Sequence, residues 1–177
     1  MKALFFSTIT KYDTFIKVNT KIMNFSLQEP LGGFSSIDFY LLDEVSNFPT
    51  VITDTNARDI HLMPFENNVQ GTIEPDSITV NVTPKQGPEG VVYHIAISFR
   101  FITRSEALEQ LLEQYQHYPG IVIATLNNDF KKLYGTNLEP LYLIFDVDDS
   151  NKIDGMCYTE VRIKGETRQR PVYYTPL

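Results

Sequence analysis

The chain has 177 residues, a net charge of −7 at pH 7 and one cysteine, Cys157. The length suits one domain with a substantial hydrophobic core, the acidic balance argues against a basic nucleic-acid-binding surface, and a single cysteine excludes an intrachain disulfide. No apolar stretch is long enough for a transmembrane helix and the N-terminal sequence lacks the signal-peptide pattern, so we expect a protein that is not exported.

Residues 1–35 are predicted to form an N-terminal strand and an extended arm, apart from a domain at residues 36–177. Apolar and polar side chains alternate over Thr14–Met23, which predicts a strand with one solvated face. A proline and a glycine pair then interrupt the periodicity, as in an extended linker. We expect such an arm to pack against neighbouring subunits.

Short strands are predicted next, at Ser36–Leu42, at Asp59–Phe65 and within Gly71–Thr83. The turn-forming residues of Pro84–Gly90 follow the last of these strands and predict a hairpin with the next strand. The long polar segment Asp43–Arg58 is predicted to be a connection with a functional or interfacial role, because connections of this length are uncommon in compact domains.

A strand that runs into a helix over Gly90–Tyr118 is the clearest feature of the sequence. In the strand, odd-numbered positions are apolar and even-numbered positions are more polar, which predicts one buried and one solvated face. A T-x-x-E capping box at Thr103 and Glu106 predicts the start of a helix at about 103–118, which Pro119-Gly120 ends. The helix carries one apolar stripe, formed by Leu108, Leu111, Leu112 and Tyr115.

The C-terminal half is predicted to consist of further strands. The apolar run Ile121–Leu126 is typical of a strand that is buried on both faces. Strands are also predicted at Phe130–Tyr134, Leu141–Asp146, Met156–Lys164 and Pro171–Tyr174. The fold class is therefore mainly β (α+β), an antiparallel β-sandwich or open barrel with one flanking helix.

An oxygen-rich loop is the one candidate for a metal site, with Asp146, Asp148, Asp149, Ser150, Asp154 and Gly155. Calcium prefers clustered oxygen ligands. The EF-hand spacing fails here, because Asn151 stands where glycine is needed and Cys157 where a bidentate glutamate belongs. The pattern favours a hairpin loop between two strands, and it leaves open whether the Asp146–Asp154 loop binds a cation.

Other candidate residues show no catalytic pattern. His61, His94 and His117 lack metal-ligand spacing. A second group consists of basic residues with tyrosines close to them in the sequence: Arg162, Lys164, Arg168 and Arg170, with Tyr158, Tyr173 and Tyr174. This group could form a weak nucleic-acid or phosphate patch or, more in keeping with Glu160 and Glu166, a balanced charged strand face. We therefore predict a protein that is not an enzyme, with no catalytic, cofactor-binding or metal-binding residues and no cofactor.

The C-terminal half also carries a two-part pattern of turn and strand residues. Its first part consists of Lys132, Tyr134, Gly135, Thr136, Pro140 and Leu141, and its second of Gly165, Thr167, Arg168, Arg170, Pro171 and Tyr173. This pattern resembles one found in structural proteins of Bacteroidetes phages and prophages. The resemblance implies a tail-tube-like fold, as in tail-tube, neck-ring and head-completion proteins that form hexameric or dodecameric rings around a DNA channel.

The predicted function is therefore that of a virion structural protein, a ring or tube subunit of a phage neck or tail, as in crAss-like phages. Its expected partners are copies of itself, other portal, neck or tail proteins, and DNA that passes through the channel without specific binding; no membrane is involved. It would assemble in the bacterial host cytoplasm and reside in the virion. The alternative is a monomeric β-sandwich module that binds carbohydrate or protein, although the absence of tryptophan argues against sugar binding.

Overall fold

The structure is a computed structural model that describes residues 33–63, 72–74, 76–102, 105–148 and 157–175. The chain divides into two compact units, Met1–Leu31 and Gly32–Leu177. The N-terminal strand and most of the arm predicted for residues 1–35 lie outside the described residues. Phe34 and Ser35, which were expected in the arm, belong to the first strand of the second unit.

The described part of the second unit contains ten β-strands and one α-helix. The strands before the helix are β1 (Phe34–Leu41), β2 (Val45–Ser46), β3 (His61–Leu62), β4 (Thr79–Gly87) and β5 (Gly90–Phe101). The helix is α1 (Glu106–Tyr115). The strands after it are β6 (Pro119–Leu126), β7 (Lys131–Tyr134), β8 (Leu141–Asp148), β9 (Tyr158–Thr167) and β10 (Val172–Tyr174).

Eight of the strands form one antiparallel sheet, in the order β10-β7-β6-β8-β9-β5-β4, with β1 paired to β6 off this path. β2 and β3 form a separate two-stranded ribbon. The large sheet is strongly curled and makes a half-barrel, so the prediction of a mainly β antiparallel fold with one helix is confirmed. The open-barrel form describes the sheet better than two stacked layers, because β6 joins β8 at its first two residues and β7 further along.

Strand β5 lies between β4 and β9 and has the two faces that its alternation predicts. Ile95, Ile97 and Phe99 are buried, and Arg100 on the other face is exposed. The predicted hairpin is also present, because β4 and β5 pair in continuous register up to Gly87 opposite Gly90. This arrangement places a wide, largely polar sheet surface on the side away from the helix.

Helix α1 begins later than the sequence predicts. Its N-cap is Ser105, whose Oγ accepts a hydrogen bond from the Leu108 N–H at 3.1 Å. Glu106 is therefore the first helical residue and cannot act as the third, so the predicted capping box is wrong. The helix ends at Tyr115, three residues ahead of the predicted end at Tyr118.

Two hydrophobic clusters lie on opposite faces of β6, as predicted for a strand buried on both faces. The large cluster lies between the sheet and α1 and includes Phe39, Ile97, Leu108, Leu112, Val122, Ala124, Tyr134, Leu143 and Ile163. The small cluster consists of Ile52, Ala57, Ile60, Ile121, Ile123, Leu133, Val172 and Tyr174. Residues 42–62, with 3-10 turns at Leu42–Glu44 and Ala57–Asp59, cover the small cluster, and we call them the covering segment.

Candidate functional site

The structure describes only part of the oxygen-rich loop. Residues 149–156 lie outside the described residues, as does the side chain of Asp148. Asp146 lies in β8 and accepts a hydrogen bond from Arg162 of β9, so a neighbouring guanidinium already neutralises its carboxylate. Over the described ranges, no group of three or more His, Cys, Asp or Glu side chains is arranged to hold a metal ion.

The three histidines lie on different elements and form no common site. His94 is on β5, with Nδ1 3.0 Å from Glu166 Oε1 on the paired strand β9. His61 is on β3, and His117 follows the last turn of α1. The structure therefore gives His94 a cross-strand partner and places His61 beside a cleft.

The three arginines of the C-terminal basic group are paired with carboxylates of other described residues. Arg162 contacts Asp146 and, at 3.3 Å, Glu160. Arg168 contacts Glu89 at 2.8 Å and Glu139 at 3.7 Å, and Arg170 lies 3.8 Å from Asp54. Such pairing agrees with the interpretation as a balanced charged face and offers little free positive charge to a phosphate backbone.

The two parts of the C-terminal pattern meet in space and form one structural joint, which we define as residues 135–141 and 165–173. Glu139 links them: one carboxylate oxygen accepts hydrogen bonds from the Thr167 hydroxyl at 3.0 Å and from the Arg168 N–H at 2.6 Å. Gly165 allows the close approach, since a Cβ there would lie 2.8 Å from the Pro140 carbonyl oxygen. The pattern therefore has a clear structural cause in the packing of two turns.

A cleft of about 360 Å³ lies where the covering segment meets the sheet. Its polar lining consists of Asp38, Tyr40, Arg58, His61, Lys131 and Tyr174. Ile60, Leu62 and Ile123 form its apolar wall. Asp38 and Tyr40 both point away from the large cluster because they alternate with Ile37, Phe39 and Leu41, which pack against it.

Burial dominates the electrostatics of this cleft. It raises the pKa of the Asp38 carboxyl above the ordinary value of 3.8, and the positive charge of Lys131 opposes the rise. Burial, followed by the charge of Asp38, raises the pKa of Tyr40 to about 12, and burial raises the pKa of Tyr174 as well. The cleft therefore holds neutral tyrosine hydroxyls beside a carboxylate that is poorly hydrated.

Two of these cleft residues were singled out from the sequence, His61 among the histidines and Tyr174 beside the C-terminal arginines, and neither was linked to a cleft. The available signal was Asp38 itself, a lone carboxylate inside the apolar strand pattern of β1. The cationic side chains come from the covering segment and from β7, far apart in sequence. Asp38 and Lys131 come together because β1 and β7 both pair with β6.

A second notable surface is the end of the β4–β5 hairpin. Residues 83–91 are all exposed, although the two strands remain paired to the turn. On the outer sheet surface, two strands away from this hairpin, Tyr142 and Ile144 of β8 expose 49% and 39% of their surface, which places apolar area among charged residues. A paired hairpin that projects beyond its core has few contacts of its own to hold it.

No helix of the described residues is long and apolar enough to cross a membrane. Comparison of the chain with protein families, with curated proteins and with solved structures finds no match in any of the three.

Proposed function

We propose that this chain is a structural subunit of a phage neck or tail that assembles with copies of itself into a ring or tube around a channel for DNA. The observation that carries the proposal is the projecting β4–β5 hairpin, with residues 83–91 exposed on both strands. An isolated two-stranded hairpin is marginally stable in water, so a partner surface would stabilise this one.

The free edge of β4 supports the same proposal. β4 is the last strand in the order of the large sheet over the described residues, so one row of its backbone donors and acceptors faces away from β5. Such an edge pairs readily with another chain. Pro84 interrupts it near the middle and limits uncontrolled growth, because proline has no N–H to offer to a ladder.

Further support comes from the resemblance of the C-terminal pattern to phage structural proteins and from the charge balance. A net charge of −7 and arginines paired with carboxylates suit a wall along which DNA slides without binding. The partners would be copies of this chain and other portal, neck or tail proteins, and the place of action would be the virion.

Mass photometry and negative-stain microscopy of the purified chain test the proposal. We expect closed rings or tubes, and we expect the double substitution K85E/V91D at the hairpin to convert them to monomers without lowering the melting temperature. Glu113→Lys on the exposed side of α1 is the control and should leave assembly intact. A wild-type chain that remains monomeric at every concentration and is absent from purified particles would contradict the proposal.

A monomeric binding module is the second candidate, and the cleft is the observation that favours it, because small-molecule sites are concave and combine apolar walls with a few polar groups. A dispersed monomer that binds a defined glycan or protein through the cleft would favour this candidate over the assembly subunit.

A further inference from the structure

We propose that the cleft between the covering segment and the sheet binds a small polyhydroxylated anion, of the chemistry shared by acidic sugars and sugar phosphates. This inference is independent of the assembly proposed above, because the cleft is built within one copy of the chain. It rests on the way three kinds of side chain are placed around one cavity.

Asp38 supplies the first part of the argument. Its carboxyl is partly buried, and no described residue donates a hydrogen bond to it or forms an ion pair with it; the only opposite charge that acts on it is that of Lys131. A partly buried carboxylate without hydrogen-bond donors is less well solvated than one in open water. Hydroxyl groups of a ligand would supply the missing donors, and a sugar presents several of them in a fixed arrangement.

The cationic side chains of Lys131 and Arg58 supply the second part. Both line the same cavity as Asp38, and the imidazole of His61 lies in that lining as well. Arg58 lies 3.9 Å from Asp59 and both side chains are more than half exposed, so this pair is weak and leaves the guanidinium able to bind an anion. Counting Asp38, the lining carries more positive than negative charge at neutral pH, which favours a ligand with a carboxylate or phosphate group.

The third part is the shape and the apolar wall. A cavity of about 360 Å³ accommodates a molecule of monosaccharide size. Ile60, Leu62 and Ile123, with the rings of the two tyrosines, offer a surface for the C–H face of a sugar ring. The hydroxyls of Tyr40 and Tyr174 are protonated at neutral pH, as tyrosines ordinarily are, and burial raises the pKa of both groups further.

Isothermal titration calorimetry on the full chain tests this proposal with glucuronate and glucose 6-phosphate as probes and glucose as the neutral control. We expect both anions to bind and glucose to bind at least about tenfold more weakly, since loss of one good charged contact costs about that much. The ratio of the two anion affinities distinguishes a preference for carboxylated sugars from one for phosphorylated sugars.

Variants locate the binding. We expect Lys131→Met and Asp38→Asn each to weaken binding by about tenfold. The matched controls Lys85→Met, on the hairpin, and Asp43→Asn, in the covering segment, should bind as the wild type does. Amide shifts in NMR spectra of the wild-type chain provide a check that needs no variant, because the probes should move resonances of β1 and β7 and leave those of β4 unchanged.

The proposal is overturned if neither anion binds the folded wild-type chain, if glucose binds as tightly as the anions, or if the NMR shifts cluster away from β1 and β7. These outcomes do not depend on oligomeric state. A chain that forms rings without binding either probe would refute the ligand site alone, and a monomer that binds them would refute the assembly alone.

Discussion

The two hydrophobic clusters on opposite faces of β6 differ in what covers them. A capped helix covers the large cluster, and α1 satisfies most of its own backbone hydrogen bonds while Leu108 and Leu112 face the sheet. The covering segment lies over the small cluster with only two short 3-10 turns and a two-residue strand at each end. One cover is regular, and the other is irregular.

An irregular cover needs hydrogen-bond partners from outside itself, and the structure shows where they come from. The Gln169 Oε1 accepts a hydrogen bond from the Ile52 N–H at 2.8 Å, and its Nε2 donates to the Thr50 carbonyl at 3.0 Å. Asp54 accepts from the Tyr173 N–H of β10 at 2.8 Å. The stability of this region therefore depends on a few individual side chains, since buried backbone groups must be paired.

Equal truncations in the two clusters give the largest expected effect. Ile163 in the large cluster is fully buried, so Ile163→Ala should cost about 2–5 kcal/mol of unfolding free energy. Ile60→Ala in the small cluster removes the same atoms, but the irregular covering segment can relax and fill part of the cavity. We therefore expect this variant to lose nearer to about 2 kcal/mol of unfolding free energy. Urea denaturation of both variants measures the difference, and equal costs would show that the two covers are equally rigid.

A smaller and more local effect is expected at the anchor of the covering segment. Gln169→Ala removes both hydrogen bonds to the backbone of Thr50 and Ile52 and should cost about 1–2 kcal/mol. Amide hydrogen exchange should rise in the covering segment and stay unchanged in β5 and β9. Gln110→Ala on α1 is the matched control, because among the described residues the Gln110 side chain hydrogen-bonds to the Glu106 side chain of the same helix. Uniformly faster exchange through the whole sheet would contradict a local anchor.

The regular region is also the one that sequence reasoning could predict. The alternation in β5, the apolar stripe of α1 and the nearly continuous apolar run of β6 each reflect burial on a regular element, and the structure confirms all of them. The error lay at the helix start, because Thr103 has Glu106 three residues later, as a capping box requires, whereas Ser105 has Leu108 there. The helix nevertheless begins after Ser105, so the sequence spacing pointed to the wrong N-cap.

The cleft could not be predicted for a related reason. Asp43–Arg58 was expected to be a long connection with a functional or interfacial role, but its residues Ile52 and Ala57 form part of a core. Irregular segments have no periodicity, so their buried positions leave no pattern in sequence. Asp38 and Lys131 come together through the pairing of β1 and β7 with opposite sides of β6, which is a property of topology.

Alkaline titration compares a tyrosine from each region. Tyr134 in the large cluster and Tyr40 beside the small one both have a pKa raised to about 12 from the ordinary 10.0, chiefly by burial. Unfolded tyrosines ionise first, so the stabilisation from neutral burial is intact below pH 10 and is lost as the pH rises towards 12. Tyr134→Phe and Tyr40→Phe should each move alkaline unfolding to higher pH, followed by tyrosinate absorbance and circular dichroism.

Salt should separate these two variants. The charge of Asp38 contributes to the raised pKa of Tyr40. The raised pKa of Tyr134 has burial as its main cause and the charge of Tyr173 as its second. Added salt screens the Asp38 charge, so it should lower the pKa of Tyr40 more than that of Tyr134. An identical salt response of both groups would mean that burial alone sets the two values.

The smallest expected effects come from two buried threonines, Thr159 and Thr167, each 1% exposed. The Thr167 hydroxyl donates to Glu139 in the structural joint, so Thr167→Val should cost about 1–2 kcal/mol and leave a carboxylate with one donor fewer. The Thr159 hydroxyl has no hydrogen-bond partner among the described residues, so Thr159→Val should raise the unfolding free energy by up to about 1 kcal/mol. Thermal unfolding of the two variants should therefore shift in opposite directions. If Thr159→Val destabilised the chain as much as Thr167→Val, its hydroxyl would have to be hydrogen-bonded in solution.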